Sequence, residues 1–256
     1  MTEATQAETA PAADNKQASQ NSRSYGRGNQ DCRPITITRH YSRYAHGSVL
    51  VEVGETKVLV TCSVEDRTPR HVKEDCGWLT AEYSMLPGST HTRNQRERFR
   101  VGGRTMEIQR LIGRSLRTAV DLTLTGERTF TIDADVIQAD GGTRTASITG
   151  GYVAVFDALA KLKEAGELEL IPIKFPIAAI SLGVVNGQVM LDLDYEEDSA
   201  ADVDANLVMN NQGQVIEFQT TSENAPLDRA TLDTMLDVGR AGVNTLMQHI
   251  QTALTD

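Results

Sequence analysis

The chain has 256 residues, enough for one sizeable core or two small ones, and its 35 acidic against 25 basic residues leave a net charge of -10. That balance argues against a protein that coats nucleic acid through a general positive field, while leaving room for a local basic patch where phosphates dock. Cys32, Cys62 and Cys76 form an odd set without metal-ligand spacing, nothing at the N-terminus resembles a secretory segment, and no apolar run reaches the length of a membrane span, so a reduced cytoplasmic protein with no membrane partner is expected.

Residues 1–31 contain no Leu, Ile, Val or Phe and are rich in Ala, Gln, Asn, Ser and Thr. Such a segment cannot bury enough apolar surface to offset the entropy of ordering it, so a disordered tail over 1–31 is expected, followed by one domain over 32–256. From Arg33 the pattern turns to strands: Ile35 and Ile37, then Val49, Val51 and Val53, a Gly54-Glu55 turn, and a Val- and Leu-rich stretch over 57–63, with a hairpin spanning 48–63. Residues 77–84 predict a further strand, whose Trp78 reads as core or subunit interface rather than a platform for a base.

Arg93, Arg96, Arg98, Arg100 and Arg104 then fall in a stretch that is almost free of apolar residues, with one opposing acid, Glu97. A solvated charged loop is one reading; the other is an arginine loop that grips backbone phosphates and supplies affinity and salt dependence rather than sequence choice. Arg104 opens a helix with a buried stripe of Ile108, Leu111, Ile112, Leu116, Ala119 and Val120, leaving Arg110, Arg114 and Arg117 as surface charge or a subunit contact.

Next, Phe130, Ile132, Ala134 and Val136 alternate with Thr131, Asp133 and Asp135, the period of a half-buried strand. Beyond residue 151, apolar positions recur at helical spacing until Gly166. The segment between them, 137–151, is therefore a glycine turn feeding a helix, whose first N–H groups and dipole favour an anion. Gly141 and Gly142 let the backbone approach a ligand without a Cβ in the way, Thr143, Thr145 and Ser147 add hydroxyls, and Arg144 adds a positive fork. The dipole contributes only about 0.3–1 kcal/mol, so Arg144 and the converging donors must supply most of any phosphate affinity. The bland alternative to this phosphate cradle is a helix start with an incidental glycine turn. No lysine follows the glycines, and the spacing is not that of a dinucleotide fingerprint.

Past the helix, an apolar run over 171–185 broken by Pro172 and Pro176 predicts an irregular entry to a strand, and Asn186-Gly187 marks a hairpin leading to a strand over 189–193. Strands over 203–209 and 215–220 flank an Asn-Asn-Gln-Gly turn. Within this region lie Asp192, Asp194, Glu196, Glu197, Asp198, Asp202 and Asp204. Carboxylates about 4 Å apart repel by roughly 4 kcal/mol at an effective dielectric near 20, so if they converge, one is protonated or a cation sits among them. A solvated acidic turn is the alternative. Asp202 and Asp204 share a strand face, with Asp198 a turn earlier, and a hard divalent ion such as Mg²⁺ would take one or two such oxygens. Asp133 and Asp135 read as structural partners for nearby arginines, and 225–253 as a C-terminal helix or helix pair.

The run over 138–150 is similar to the signature of the ribonuclease PH family, and 103–114, 77–87 and 197–201 resemble its other motifs in the same order, so that the likeness covers about 33–254. The resemblance implies a phosphate-dependent 3′-to-5′ exoribonuclease that trims the 3′ ends of transfer RNA precursors and other RNAs: inorganic phosphate attacks the terminal phosphodiester and a nucleoside 5′-diphosphate leaves, reversibly. It implies an α/β (α+β) fold like the second domain of a small-subunit ribosomal protein, with mixed sheets, packed helices and a left-handed crossover, where pattern alone reaches only an α/β class with β-rich ends. It further implies a homohexameric ring, a trimer of dimers.

By position, the family's phosphate-binding residues fall on Arg104, Gly142, Thr143 and Arg144. Its RNA-gripping arginines fall on Arg93 and Arg96, with Arg98 and Arg100 as added contacts. Its catalytic aspartates fall on Asp198 and Asp204, as Mg²⁺ ligands or as general acid, with Asp202 as a third ligand. One departure is Gly88, where the family usually carries an arginine straight after the loop's proline. A non-catalytic ring subunit or RNA-binding module of the same fold is the alternative, against which the joint presence of Arg104, Thr143, Arg144, Asp198 and Asp204 weighs. A small-molecule kinase would need a nucleotide loop that is absent.

Overall fold

In the computed structural model, residues 23–97, 99–222 and 226–255 are described. The first half runs β1 (Ile35–Arg39), β2 (Gly47–Val53), β3 (Thr56–Glu65), β4 (Trp78–Met85), α1 (Gly103–Ala119), β5 (Thr129–Gln138) and α2 (Thr143–Glu164). The second runs β6 (Ile177–Val185), β7 (Gln188–Leu191), α3 (Tyr195–Ser199), β8 (Val203–Asn210), β9 (Val215–Ser222) and α4 (Arg229–Thr255). One sheet has the order β1-β2-β3-β5-β4, the other β7-β6-β8-β9. Among the described residues only β4 and β5 pair in parallel, as their connection through α1 allows, since a parallel pair needs a long crossover.

The expected mixed fold is present, and α2 is its axle. This helix is apolar nearly all round, which suits burial on every side. On one side a Cβ at Gly150 would come within 2.6 Å of Val51 Cγ2, so the helix lies directly on the first sheet. On the other, Thr149 Oγ1 accepts from the Ala179 N–H of β6 at 3.1 Å. With α2 on one face and α4 on the other, β6 is buried along its whole length, which explains its unbroken apolar run. A single connected apolar core results. The C-terminal segment forms one long helix rather than a pair, with Gly239 and Gly242 set against Leu207 and Ile180 so that it stays continuous while packing close. No helix among the described residues is long and apolar enough to cross a membrane.

The tail boundary drawn at residue 31 needs correction. Residues 1–22 lie outside the described residues, but Arg23 and Arg27 are buried. Arg23 Nε and Nη2 donate to the two Glu197 oxygens at 2.7 and 2.8 Å, and Arg27 Nη1 donates to the Asp192 carbonyl at 2.6 Å. A reading that weighs apolar burial alone passes over a segment ordered through arginine–carboxylate pairs.

Candidate active site

The start of α2 carries Gly142 as its N-cap, with φ +66°, and no side chain caps it. The start of α1, behind Gly102, is likewise free of a side-chain cap, and neither helix has an acid in its first turn. Arg104 and Arg144 thus stand at two positive helix ends. They share a neighbourhood: the Tyr83 hydroxyl lies in the field of both, and Tyr83 and Thr143 hydroxyls are hydrogen-bonded at 2.9 Å. Arg144 is steadied by Glu107, 3.8 Å away. Burial raises the Tyr83 pKa despite these cations, so the phenol stays neutral and able to orient Thr143. Not every expected donor faces the cleft. Thr145 Oγ1 donates to the Gly142 carbonyl at 2.8 Å and Ser147 Oγ to the Thr143 carbonyl at 2.7 Å, so both hydroxyls serve the helix itself.

The acidic cluster divides in two. Asp192, Asp194 and Glu197 are structural, because Arg23, Arg27 and Arg33 bind them. Burial by itself would raise the Glu197 carboxyl, but the Arg23 hydrogen bond, with Arg27, outweighs it and holds the group below its usual range. Asp194 and Glu197 also form a capping box that nucleates α3, a short helix whose Asp-x-x-Glu signal stands in the sequence. Asp198 and Asp204 are left for the cleft. Although Asp198 is exposed as a whole residue, surrounding protein strips water from its carboxyl, and this burial, with the like charge and hydrogen bond of Asp204, pushes it up to about 6 against the pull of Arg144 and Arg104. The register agrees: Asp204 pairs with Gly183 and Asn206 with Ser181, on the sheet face that meets Gly142, whose added Cβ would lie 3.4 Å from Ser181 Oγ.

Among the described residues no group of three or more His, Cys, Asp or Glu is placed to hold a metal. Asp202 therefore does not complete a ready-made three-carboxylate set; strand geometry sets it about 6–7 Å along the chain from Asp204, whereas Asp198 folds back through the turn. The donors that remain, two carboxylates in mutual contact, suit a cation that takes one or two protein oxygens.

What joins the two halves is invisible in either motif alone. At Gly141, φ is +74° and an added Cβ would sit 2.3 Å from the Leu193 carbonyl oxygen, against the backbone leading to α3. The glycine makes room for the protein's own chain rather than for a ligand. Arg33, with its side chain fully buried, spans the same junction: it donates to the Asp140 and Gly141 carbonyls and to both Asp192 oxygens, at 2.7 Å to Oδ1 and 3.1 Å to Oδ2. No spacing in the sequence signals Arg33, Tyr83 or Glu107 as parts of the site.

The loop between β4 and α1 is pinned at its base, where the Ala139 N–H donates to the Ser89 carbonyl at 2.8 Å. Its arginines Arg93, Arg96 and Arg100 are exposed, as is Arg104. Arg98 lies outside the described residues. Arg96 stabilises the Asp135 carboxylate, whose pKa burial nonetheless raises, while Asp133 is raised by burial, then by Glu82 and Asp135, against a hydrogen bond from Thr61. Among the described arginines, Arg96 lies near enough to act on Asp135. Nothing lies within 4 Å of a Cβ at Gly88, so packing does not demand glycine there. On the far face of α1, Arg114 pairs with Glu217 at 2.6 Å and Arg117 lies over Trp78 at 4.8 Å, both engaged within this chain.

The model of the 3′ exoribonuclease family, domain 1, matches residues 31–161, and that of domain 2 matches 176–242. Among solved structures, rice (Oryza sativa) Rrp46 superposes with TM-score 0.72 at 22% identity, over 90% of this chain and 98% of that one. The Archaeoglobus fulgidus exosome with RNA bound to the active site gives 0.78 at 22%, over 89% and 92%. An archaeal exosome core gives 0.73 at 22%, over 88% and 90%. At this identity the three likenesses establish a shared fold.

Proposed function

Because this chain belongs to the 3′ exoribonuclease family, that of ribonuclease PH, we propose that it is a phosphate-dependent exoribonuclease that trims the 3′ ends of transfer RNA precursors and other RNAs in the cytoplasm. One observation carries the reading: the Asp198 carboxyl, hydrogen-bonded to Asp204, lies in the field of both Arg144 and Arg104. The arginines at the starts of α1 and α2 and the carboxylate pair are therefore near enough to interact within one chain. Phosphoryl transfer asks a protein mainly to align the incoming and outgoing oxygens and to neutralise charge between them.

Gly142, Thr143, Arg144 and Arg104 hold inorganic phosphate for attack on the last phosphodiester. Asp198 and Asp204 stand on the opposite side, where they would hold Mg²⁺. When bound, that cation supplies positive charge to the phosphoryl group in flight. An Asp198 carboxyl raised to about 6 is also suited to keep a proton for the departing 3′ oxygen. Arg93, Arg96 and Arg100 track the RNA backbone, as would Arg98 of the same stretch of sequence. An exosome relative carrying RNA at its active site supports RNA as the substrate, and the exosome core supports assembly into a ring, here a homohexamer built as a trimer of dimers.

A short RNA with a free 3′ end, incubated with Mg²⁺, tests the reaction. Nucleoside diphosphates that appear only with added phosphate are the expected result. Monophosphates without it would mean hydrolysis, and an intact oligonucleotide would leave a non-catalytic RNA-binding subunit. Arg104→Ala removes a charge-assisted contact of about 1.5–3 kcal/mol, so the KM for phosphate should rise about 10- to 150-fold while that for RNA changes little. Arg96→Ala should weaken RNA binding equally across sequences and flatten the log Kd against log salt slope by about 0.7. An unchanged slope would remove Arg96 from the grip.

A further inference from the structure

Tyr195 is 54% exposed, and it opens α3 three residues before Asp198. Positions i and i+3 of a helix share a face, which puts Tyr195 and Asp198 on the same side of α3. The Tyr195 backbone N–H donates to Asp140 Oδ1 at 3.2 Å, which ties it to the turn that begins α2. The loop between β4 and α1 brings His91, whose ring centre lies 6.1 Å from that of Tyr195 at a tilt of 57°. Two aromatic rings therefore meet where the arginine loop approaches α3, the helix that carries Asp198.

We infer that Tyr195, with His91 at its edge, is the stacking platform for the terminal nucleobase of an RNA 3′ end; this rests on reading the cleft as an RNA 3′-end site. Every base has a π-face, so a ring platform accepts each nucleotide in turn without reading its identity. An enzyme that removes successive, different nucleotides needs that tolerance. Stacking would hold the last base while the phosphodiester behind it lies between Arg144 and Asp198.

The test uses RNA with 2-aminopurine as its 3′-terminal base, without phosphate so that no turnover intervenes. Stacking quenches this base, and anisotropy of a 5′ dye reports binding separately. The parent and Tyr195→Phe should quench alike. Tyr195→Ala should lose the quench and raise Kd about 5- to 150-fold, as should Tyr195→Leu, which keeps apolar bulk without a ring. His91→Ala should do the same to a smaller degree. Binding without quench in the parent, or equal quench in Tyr195→Ala, would overturn the platform, as would the absence of binding. Quench in a protein that makes no nucleoside diphosphates would keep the platform and refute the reaction.

Discussion

Asp204→Asn is expected to lower turnover about 10²- to 10⁴-fold while RNA binding, carried by the arginine loop, stays close to that of the parent. Asparagine keeps the shape of the side chain, so β8 and its pairing with Gly183 and Thr221 should persist. What is lost is one of two carboxylates. The same substitution carries a readout independent of activity: after burial, the like charge of Asp204 is the next cause that pushes Asp198 up to about 6, so in the variant Asp198 should titrate lower. Carboxyl-carbon NMR of the metal-free protein measures both values. In the parent, the pH dependence of the rate then assigns the role: activity lost as pH falls marks a carboxylate that must be ionised to hold a cation, whose charge moves its pKa below the metal-free value of about 6, and activity lost as pH rises marks a general acid. An Asp204→Asn enzyme with parental turnover would refute the carboxylate half of the mechanism.

Arg33→Met should destabilise the protein by about 3–5 kcal/mol, because it leaves Asp192, only 3% exposed, as a buried charge without its main partner. For a chain of this size that corresponds to a fall in Tm of about 6–20 °C in thermal unfolding. Arg33→Met/Asp192→Asn should recover much of it, since asparagine carries no charge and tolerates the left-handed φ of +52° at that position. Activity should remain below the parent's even well under the Tm, because the Asp140 and Gly141 carbonyls lose the same guanidinium and the turn before α2 is freed from the turn before α3. A Tm within about 2 °C of the parent would mean that water takes the place of Arg33 and that the junction is held elsewhere.

Legibility differed by element for physical reasons. The alternation over 130–136 and the apolar recurrence after 151 reported β5 and α2, because each is set by the period of its own backbone. The five-residue α3 escaped that test, being too short to show a period, although its capping box was written in Asp194 and Glu197. Counting apolar residues misplaced the N-terminal boundary, since Arg23 and Arg27 are ordered by charge. Reading the acids between 192 and 204 as one cluster treated structural and cleft carboxylates alike, because nothing local distinguishes an aspartate that meets an arginine 159 residues away from one that meets another aspartate.

The sequence by itself determined the chemistry available: two arginines behind glycines, paired aspartates at the head of a strand, and a loop crowded with guanidinium groups, all set by covalent order and short-range periodicity. Only the tertiary structure decided which of them meet. Gly141 yields its Cβ space to the 193–194 backbone, Arg33 bridges the same seam, and the β6–β8 register turns Asp204 toward the start of α2. Those are contacts between residues far apart in the chain, fixed by packing and burial around α2, and no local pattern encodes them.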